Sequence, residues 1–143
     1  MGKNLTWKTQ DRLSVVVHNE CAPTDLEWNI YLNHVRENVN VPNLRVLVWT
    51  DGGSPDGRQR KAMEVVARQG YPNPPPLAVV TQSIVVRAVM KLASIFNPHI
   101  RCYSPDQISL AYMYLGLTPA ERDLASQLMR ELRGELRSTR IAS

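Results

Sequence analysis

Residues 44–70 read LRVLVWTDGGSPDGRQRKAMEVVARQG, and they contain the change from strand to helix on which the fold prediction depends. Leu44 to Trp49 are apolar apart from one arginine, as expected of a buried strand. Gly52-Gly53 would let the backbone leave that strand with positive φ. Apolar residues then recur at helical spacing from Pro55 to about Gln69, and Gly70 is a suitable stop. The stretch predicts one strand–turn–helix unit.

The same alternation continues on both sides of this unit. Further strands are predicted at 5–8, 13–17, 77–81 and 100–103, and helices at about 24–39, 84–96, 104–116 and 118–137. Strands separated by helices pair in parallel through right-handed crossovers. We therefore predict a single-domain, layered α/β fold with a mostly parallel sheet. Residues 1–117 would form the α/β domain, and residues 118–143 would add a C-terminal amphipathic helix and a frayed tail.

Length and composition exclude several classes of protein. The 143 residues suffice for one core, and no apolar run approaches the ~20 residues that cross a bilayer. The N-terminus lacks an apolar signal region, so we expect a cytoplasmic protein. Cys21 and Cys102 are too few for a disulfide framework.

The net charge is +4, and the basic residues are spread along the chain without interleaved aromatics. This disfavours nucleic acid, whereas an acidic protein or an anionic surface would fit. Any membrane contact would be peripheral.

Gly52 and Gly57 stand at the spacing of a phosphate-binding loop, directly after the strand. However, Arg58 and Gln59 replace the lysine and the hydroxyl residue of that motif, and Pro55 removes a backbone N–H donor. We therefore predict neither a P-loop NTPase nor a bound cofactor.

Ser54-Pro55 also has a simple structural interpretation. A hydroxyl residue followed by proline is a favourable helix start, and the pattern recurs at Ser104-Pro105 and Thr118-Pro119. We expect Ser54 to be the N-cap of the helix after the central strand.

Polar residues follow each predicted parallel strand, and the carboxyl ends of parallel strands meet at one edge of a sheet. The residues gathered there would be His18, Asn19, Asp51, Ser54, Thr81, Gln82, Ser83 and Ser104. His18, Asp51 and Ser54 are the residue types of a hydrolytic triad, but Ser54 lacks the G-x-S-x-G elbow that exposes a nucleophile. We predict no catalytic residues. No metal site is expected either, because the histidines and cysteines do not stand at zinc-ligand spacing.

Residues 77–117, LAVVTQSIVVRAVMKLASIFNPHIRCYSPDQISLAYMYLGL, carry a family resemblance. A strand, a helix, a short strand ending in an aromatic residue and a Ser-Pro-Asp helix start follow one another. Together with the order of the preceding elements, this stretch resembles the STAS fold of sulfate transporters and anti-sigma factor antagonists. It is most similar to the diverged bacterial STAS-like branch grouped with Sec14-type domains. The matching residues are Tyr103, Pro105, Asp106, Ala111 and Leu115.

The resemblance implies a non-catalytic bacterial regulatory or signalling module that binds a protein partner. In the antagonist branch, a serine at the start of the helix after the central strand is phosphorylated, and Ser54 corresponds to it in topology. Arg58 would lie within one turn of that phosphate. The resemblance therefore implies a partner-binding or regulatory surface at Asp51, Gly52, Gly53, Ser54, Arg58 and Arg60.

Two further possibilities stay open. The chain could instead be a small-molecule, nucleotide or lipid-binding domain that uses His18, Thr81, Gln82 and Ser104. The C-terminal helix carries leucines at every fourth position from Leu124 to Leu136. That stripe would either pack on the domain's own sheet or support docking and a homo-oligomer.

Overall fold

Five strands form one sheet in the order β1-β2-β3-β4-β5 in this computed structural model, which describes residues 3–142 and their side chains as far as residue 138. The strands are β1 (Leu5–Gln10), β2 (Leu13–His18), β3 (Arg45–Thr50), β4 (Leu77–Thr81) and β5 (Ile100–Tyr103). β1 and β2 form an antiparallel hairpin, and all other neighbours pair in parallel. The predicted α/β fold with a mostly parallel sheet is confirmed.

The helices are α1 (Asp25–Glu37), α2 (Gly57–Gly70), α3 (Ile84–Phe96), α4 (Ile108–Leu115) and α5 (Pro119–Ala142), with a 3-10 turn at Pro105–Gln107. Local capping explains several of these boundaries. Thr24 and Glu27 form a capping box before α1, and Thr118 and Glu121 exchange the same pair of hydrogen bonds before α5. Gly116 ends α4 in the left-handed conformation, with φ +67°.

The helices form a layer on each face of the sheet. Each connection from β2 to β5 moves one strand along the sheet, and right-handed crossovers in one direction place α1, α2 and α3 on the same face, here called the α1–α3 layer. Alternate strand residues support this arrangement: Val16 shares a core with α1 and α2, whereas Val15 and Val17 share a core with α4 and α5.

The C-terminal helix is an integral part of the fold. Its apolar stripe packs on the sheet, where Ala125, Leu128, Met129, Leu132 and Leu136 are buried. Arg12, in the β1–β2 turn, donates to both carboxylate oxygens of Glu121, at 2.6 and 2.7 Å. These hydrogen bonds lower the pKa of Glu121 to about 2. Of the two interpretations of the leucine stripe, the structure shows packing on the chain's own sheet; α5 continues to Ala142, beyond the predicted end at Arg137.

α1 buries one side, and α2 starts later than predicted. In α1, Trp28, Tyr31 and Leu32 occupy the buried side, whereas Leu26 and Ile30 are exposed. α2 begins at Gly57, two residues later than predicted, and ends with Tyr71 as its C-cap.

Within the described residues, no helix is long and apolar enough to span a membrane.

Candidate recognition surface at the carboxyl ends of the strands

The loop between β3 and α2, residues 51–56, is fixed to the loop that follows β2. Gly53 donates its backbone N–H to the carbonyl of Asn19 at 2.8 Å, and Asp51 donates to the carbonyl of His18 at 3.2 Å. The hydroxyl of Thr50 closes the turn, since it accepts from Gly52 N at 3.0 Å and donates to the carbonyl of Gly53. The loop therefore has a defined shape before any partner binds.

The two glycines of this loop are required for different reasons. Gly52 adopts φ +129°, a conformation that L-residues with a side chain rarely reach. Gly53 instead lies against neighbouring backbone: a Cβ atom there would stand 2.1 Å from the carbonyl oxygen of Cys21 and 2.6 Å from that of Asn19. Only glycine lets the two loops approach so closely.

Several of the backbone donors that a phosphate loop would need are used within the chain. The N–H groups of Asp51, Gly52 and Gly53 bond as described, Pro55 has none, and Asp56 donates to the side chain of Gln59 at 2.9 Å. A phosphate would have to compete with these bonds. The geometry therefore agrees with the interpretation of residues 51–57 as a structural turn.

The start of α2 is capped by Asp56, which corrects the expected role of Ser54. The Asp56 carboxylate accepts from Gln59 N at 2.8 Å, and the side-chain oxygen of Gln59 accepts from Asp56 N at 2.9 Å. Aspartate is as good an N-cap as serine, and Asp-x-x-Gln is itself a capping-box pattern that the sequence contains. Ser54 is half-buried in the loop, two residues before the cap.

Gln59, which stands where a phosphate-binding loop has its hydroxyl residue, anchors α2 to the start of α1. Its side chain is buried and donates to the carbonyl of Pro23 at 2.9 Å and to Asp25 at 3.1 Å. The indole of Trp28 donates to the Gln59 carbonyl at 2.8 Å. A lone glutamine after a glycine-rich turn gives little sign of this role, because its partners lie more than thirty positions away.

Two arginines of the predicted surface extend from the first turn of α2. Arg58 forms an exposed ion pair with Asp25 at 2.8 Å, and its side chain remains 76% exposed. Arg60 donates to the carbonyl of Pro55 at 2.9 Å and is also exposed. Asp51, Ser54, Arg58 and Arg60 belong to one stretch of chain that follows the end of β3, and we call residues 51–60 the 51–60 surface.

His18 lies inside the protein and not on this surface. It is 5% exposed, and its Nδ1 atom has no hydrogen-bond partner. Burial lowers the pKa of His18 to about 4, against a smaller opposing effect of Glu27, so the ring is neutral at pH 7. Asp51 accepts from the indole of Trp49 at 3.0 Å instead of orienting the histidine. Among the described residues, no hydrogen bond joins the side chains of His18, Asp51 and Ser54.

The other residues expected at this edge have structural partners. Thr81 is fully buried, and its hydroxyl donates to the carbonyl of Thr50 at 2.7 Å and accepts from Ser83 N at 3.1 Å. Gln82 is exposed, and Ser104 caps the 3-10 turn that precedes α4. Thr81 and Ser104 therefore fix the ends of β4 and β5.

α5 also contributes to this edge, although no local pattern in the sequence indicated it. The guanidinium of Arg133 lies 4.1 Å from the centre of the Trp49 ring, and the indole N–H of the same ring donates to Asp51. Asp51, Asn19, Arg133 and Leu136 help to line a cavity of about 20 Å³. Within residues 3–142, no group of three or more His, Cys, Asp and Glu side chains is arranged to hold a metal ion. Cys21 and Cys102 are free thiols.

Comparisons with protein-family models, curated proteins and solved structures gave no match to this chain, so the functional argument depends on its own residues.

Proposed function

We propose that this chain is a non-catalytic regulatory module that recognises a protein partner through the 51–60 surface. The observation that carries the proposal is the fixed geometry of that surface. Backbone hydrogen bonds hold residues 51–53 to the β2–α1 loop, and Gln59 holds the start of α2 to Pro23. A surface that is already ordered loses less entropy when a partner binds, so more of the contact energy appears as affinity.

The chemistry of the surface suits a protein partner. Arg58 and Arg60 supply exposed guanidinium groups, which pair well with carboxylates, and Asp51 adds one acidic group. The cavity at this edge, about 20 Å³, is far smaller than the hundreds of Å³ typical of small-molecule sites. This difference favours a protein over a nucleotide, metabolite or lipid as the ligand of this edge.

The STAS-like resemblance adds support from topology. A hairpin followed by consecutive parallel strands in the order β1 to β5, with three helices on one face, is compatible with that family's order of elements. The proposal accordingly includes a bacterial signalling role in the cytoplasm. A phosphoserine switch at Ser54 has weaker support, because Asp56 already occupies the helix N-cap and would repel a phosphate nearby.

The proposal can be tested by affinity capture from a lysate cleared of membranes by ultracentrifugation. We expect wild-type chain to retain at least one protein that is lost when Ser54→Asp and Arg58→Glu are combined. Arg130→Glu, on the exposed side of α5, is the matched charge-reversal control and should retain the same protein. Recovery of the same proteins by all three chains would show that the 51–60 surface is not used.

A further inference from the structure

α3 has a broad apolar side that the chain leaves uncovered. Val86 is buried against the sheet, where α3 packs on β4 and β5, and Arg87, Lys91 and Ser94 stand at helical spacing on a polar stripe. The outward side carries six exposed large apolar residues: Ile84 (76%), Val85 (72%), Val89 (38%), Leu92 (66%), Ile95 (70%) and Phe96 (85%). Soluble monomers rarely expose contiguous apolar patches of this extent, and such patches mark interaction sites. The outward side of α3 is therefore a candidate contact surface.

The exposed apolar residues are concentrated on one face of the molecule. Of the eleven large apolar side chains that are exposed in the described part of the chain, nine lie in the α1–α3 layer, including Leu26, Ile30 and Val65. The other two, Leu110 and Met113, lie on α4 across the sheet. The six on α3 expose an area on the order of 700 Å², at or above the largest apolar patches of ordinary soluble monomers.

Basic residues predominate on α2 and α3. Together these helices carry six basic residues and one acidic residue, Glu64, whereas α1, in the same layer, carries one basic and three acidic residues. α5, in the opposite layer, carries five basic and four acidic residues, and α4 carries none. Arg58 pairs with Asp25, and Arg68 lies 4.0 Å from Glu64, so the net positive charge of α2 and α3 comes mainly from the remaining cations, two of them on α3 itself.

A second copy of the chain is a poor occupant for this surface. Two copies that met through α3 would bring Arg87 and Lys91, and the basic α2 helices beside them, towards the same residues of the partner. Like charges in an interface are unfavourable. A cavity of about 470 Å³ lies between α3 and β5, lined by Met90, Lys91 and Ser94 of α3, but none of the six exposed apolar residues lines it. A peptide held there would leave the outward side uncovered. A broad apolar helix side with cations near it suits a lipid bilayer, whose interior is apolar and whose headgroups can be anionic.

We propose that α3 docks on an anionic lipid surface, lying in the plane of the headgroups while α2 contacts their phosphates. The 13 residues of α3 would lie along the surface for about 20 Å. Its six exposed side chains would enter the boundary between headgroups and acyl chains, as in other in-plane helices. Lys61 and Arg68 on α2 are exposed and would add electrostatic attraction. This contact is peripheral, and Lys61 and Arg68 lie outside the residues of the 51–60 surface.

The test is co-sedimentation of the full chain with vesicles. Vesicles of equal parts phosphatidylglycerol and phosphatidylcholine should bind the chain at least about tenfold better than phosphatidylcholine alone. Binding should weaken as NaCl rises from about 0.1 M to about 0.5 M. Leu92→Glu combined with Phe96→Glu should lower binding about tenfold or more, because the charges cannot enter the acyl region. Lys61→Glu combined with Arg68→Glu should lower binding to the anionic vesicles by a similar factor.

The matched control is Leu110→Glu combined with Met113→Glu, which alters exposed apolar residues of α4 and should leave vesicle binding unchanged. Circular dichroism should show the wild-type fold in every variant, because each altered side chain is exposed. Absence of wild-type binding to either vesicle, or equal loss in the α4 control, would overturn the proposal. A wild-type dimer by light scattering that the α3 variant dissociates, without vesicle binding, would assign α3 to a second copy instead.

Discussion

Gly53 N lies 2.8 Å from the carbonyl oxygen of Asn19, and this hydrogen bond joins the loop after the central strand to the loop after its neighbour. The contact is possible because residue 53 has no side chain. Because of this bond, the loop after β3 is not independent. It and the loop after β2 support each other. The position of the 51–60 surface follows from this pair of residues.

Replacing Gly53 should therefore be costly. Gly53→Ala would place a Cβ atom 2.1 Å from the Cys21 carbonyl oxygen, so the two loops must separate. We expect the free energy of unfolding to fall by about 3 kcal/mol in urea denaturation. Gly134→Ala is the control: it lies inside α5 with no atom within 4 Å of the added methyl, and should stabilise by about 1 kcal/mol. Equal effects of the two substitutions would contradict the close approach.

The corrected start of α2 gives a second prediction. Asp56→Ala removes the side chain that accepts from Gln59 N, and should lower the free energy of unfolding by about 1 kcal/mol. Ser54→Ala, at the residue first expected to cap the helix, should change it by less than about 0.5 kcal/mol. Thermal and urea unfolding of both variants would decide the matter. A larger loss at Ser54 than at Asp56 would restore the original assignment.

His18 should make the protein sensitive to mild acid. Its folded-state pKa, about 4, lies below the ordinary value of 6.5, so the unfolded chain takes up the proton first. The stability that the neutral ring contributes is complete above pH 6.5 and is lost as the pH falls from 6.5 towards 4. The loss should reach about 3 kcal/mol.

His18→Leu removes this titration and keeps an apolar side chain of similar size in the buried site. Urea denaturation at several pH values would give the free energy of unfolding of both proteins. As the pH falls from 6.5 towards 4, wild type should lose stability relative to the variant. An identical pH dependence of the two proteins would show that the ring is not held neutral.

The packing of α5 on the sheet predicts a large difference between two leucines. Leu128, on the side of α5 that faces the core, is 1% exposed, and Leu128→Ala should cost about 3 kcal/mol. Leu92, exposed on α3, should tolerate the same change within about 0.5 kcal/mol. Comparable stabilities of the two variants would mean that the C-terminal helix is an appendage to residues 1–117.

Much of the fold could be predicted from local patterns. The bounds of α3, β4 and β5 agree with the predicted ranges, because each begins or ends at a strong local signal such as Ser83 or Asn97-Pro98. Local sequence also explains the capping boxes at Thr24 and Thr118, because each hydroxyl residue is followed three positions later by a glutamate.

The start of α2 could not be decided locally because two capping signals overlap there. Ser54-Pro55 and Asp56-x-x-Gln59 are both favourable, and the buried contacts of Gln59 with Pro23 and Asp25 stabilise the second. The stacking of Arg133 on Trp49 joins residues more than eighty positions apart, and no local pattern indicates it. The contacts of the predicted site residues are mainly of this distant kind, so the sequence could nominate those residues but could not identify their partners.

The fixed geometry of the 51–60 surface can be measured by amide hydrogen exchange of the full chain, followed residue by residue by NMR. The amides of Asp51, Gly52 and Gly53 donate to partners within the chain, so they should exchange about as slowly as those of the central strands. Exchange at the rate of an unstructured loop would contradict the proposal, because a mobile loop cannot present Asp51, Ser54 and the arginines of α2 in one arrangement.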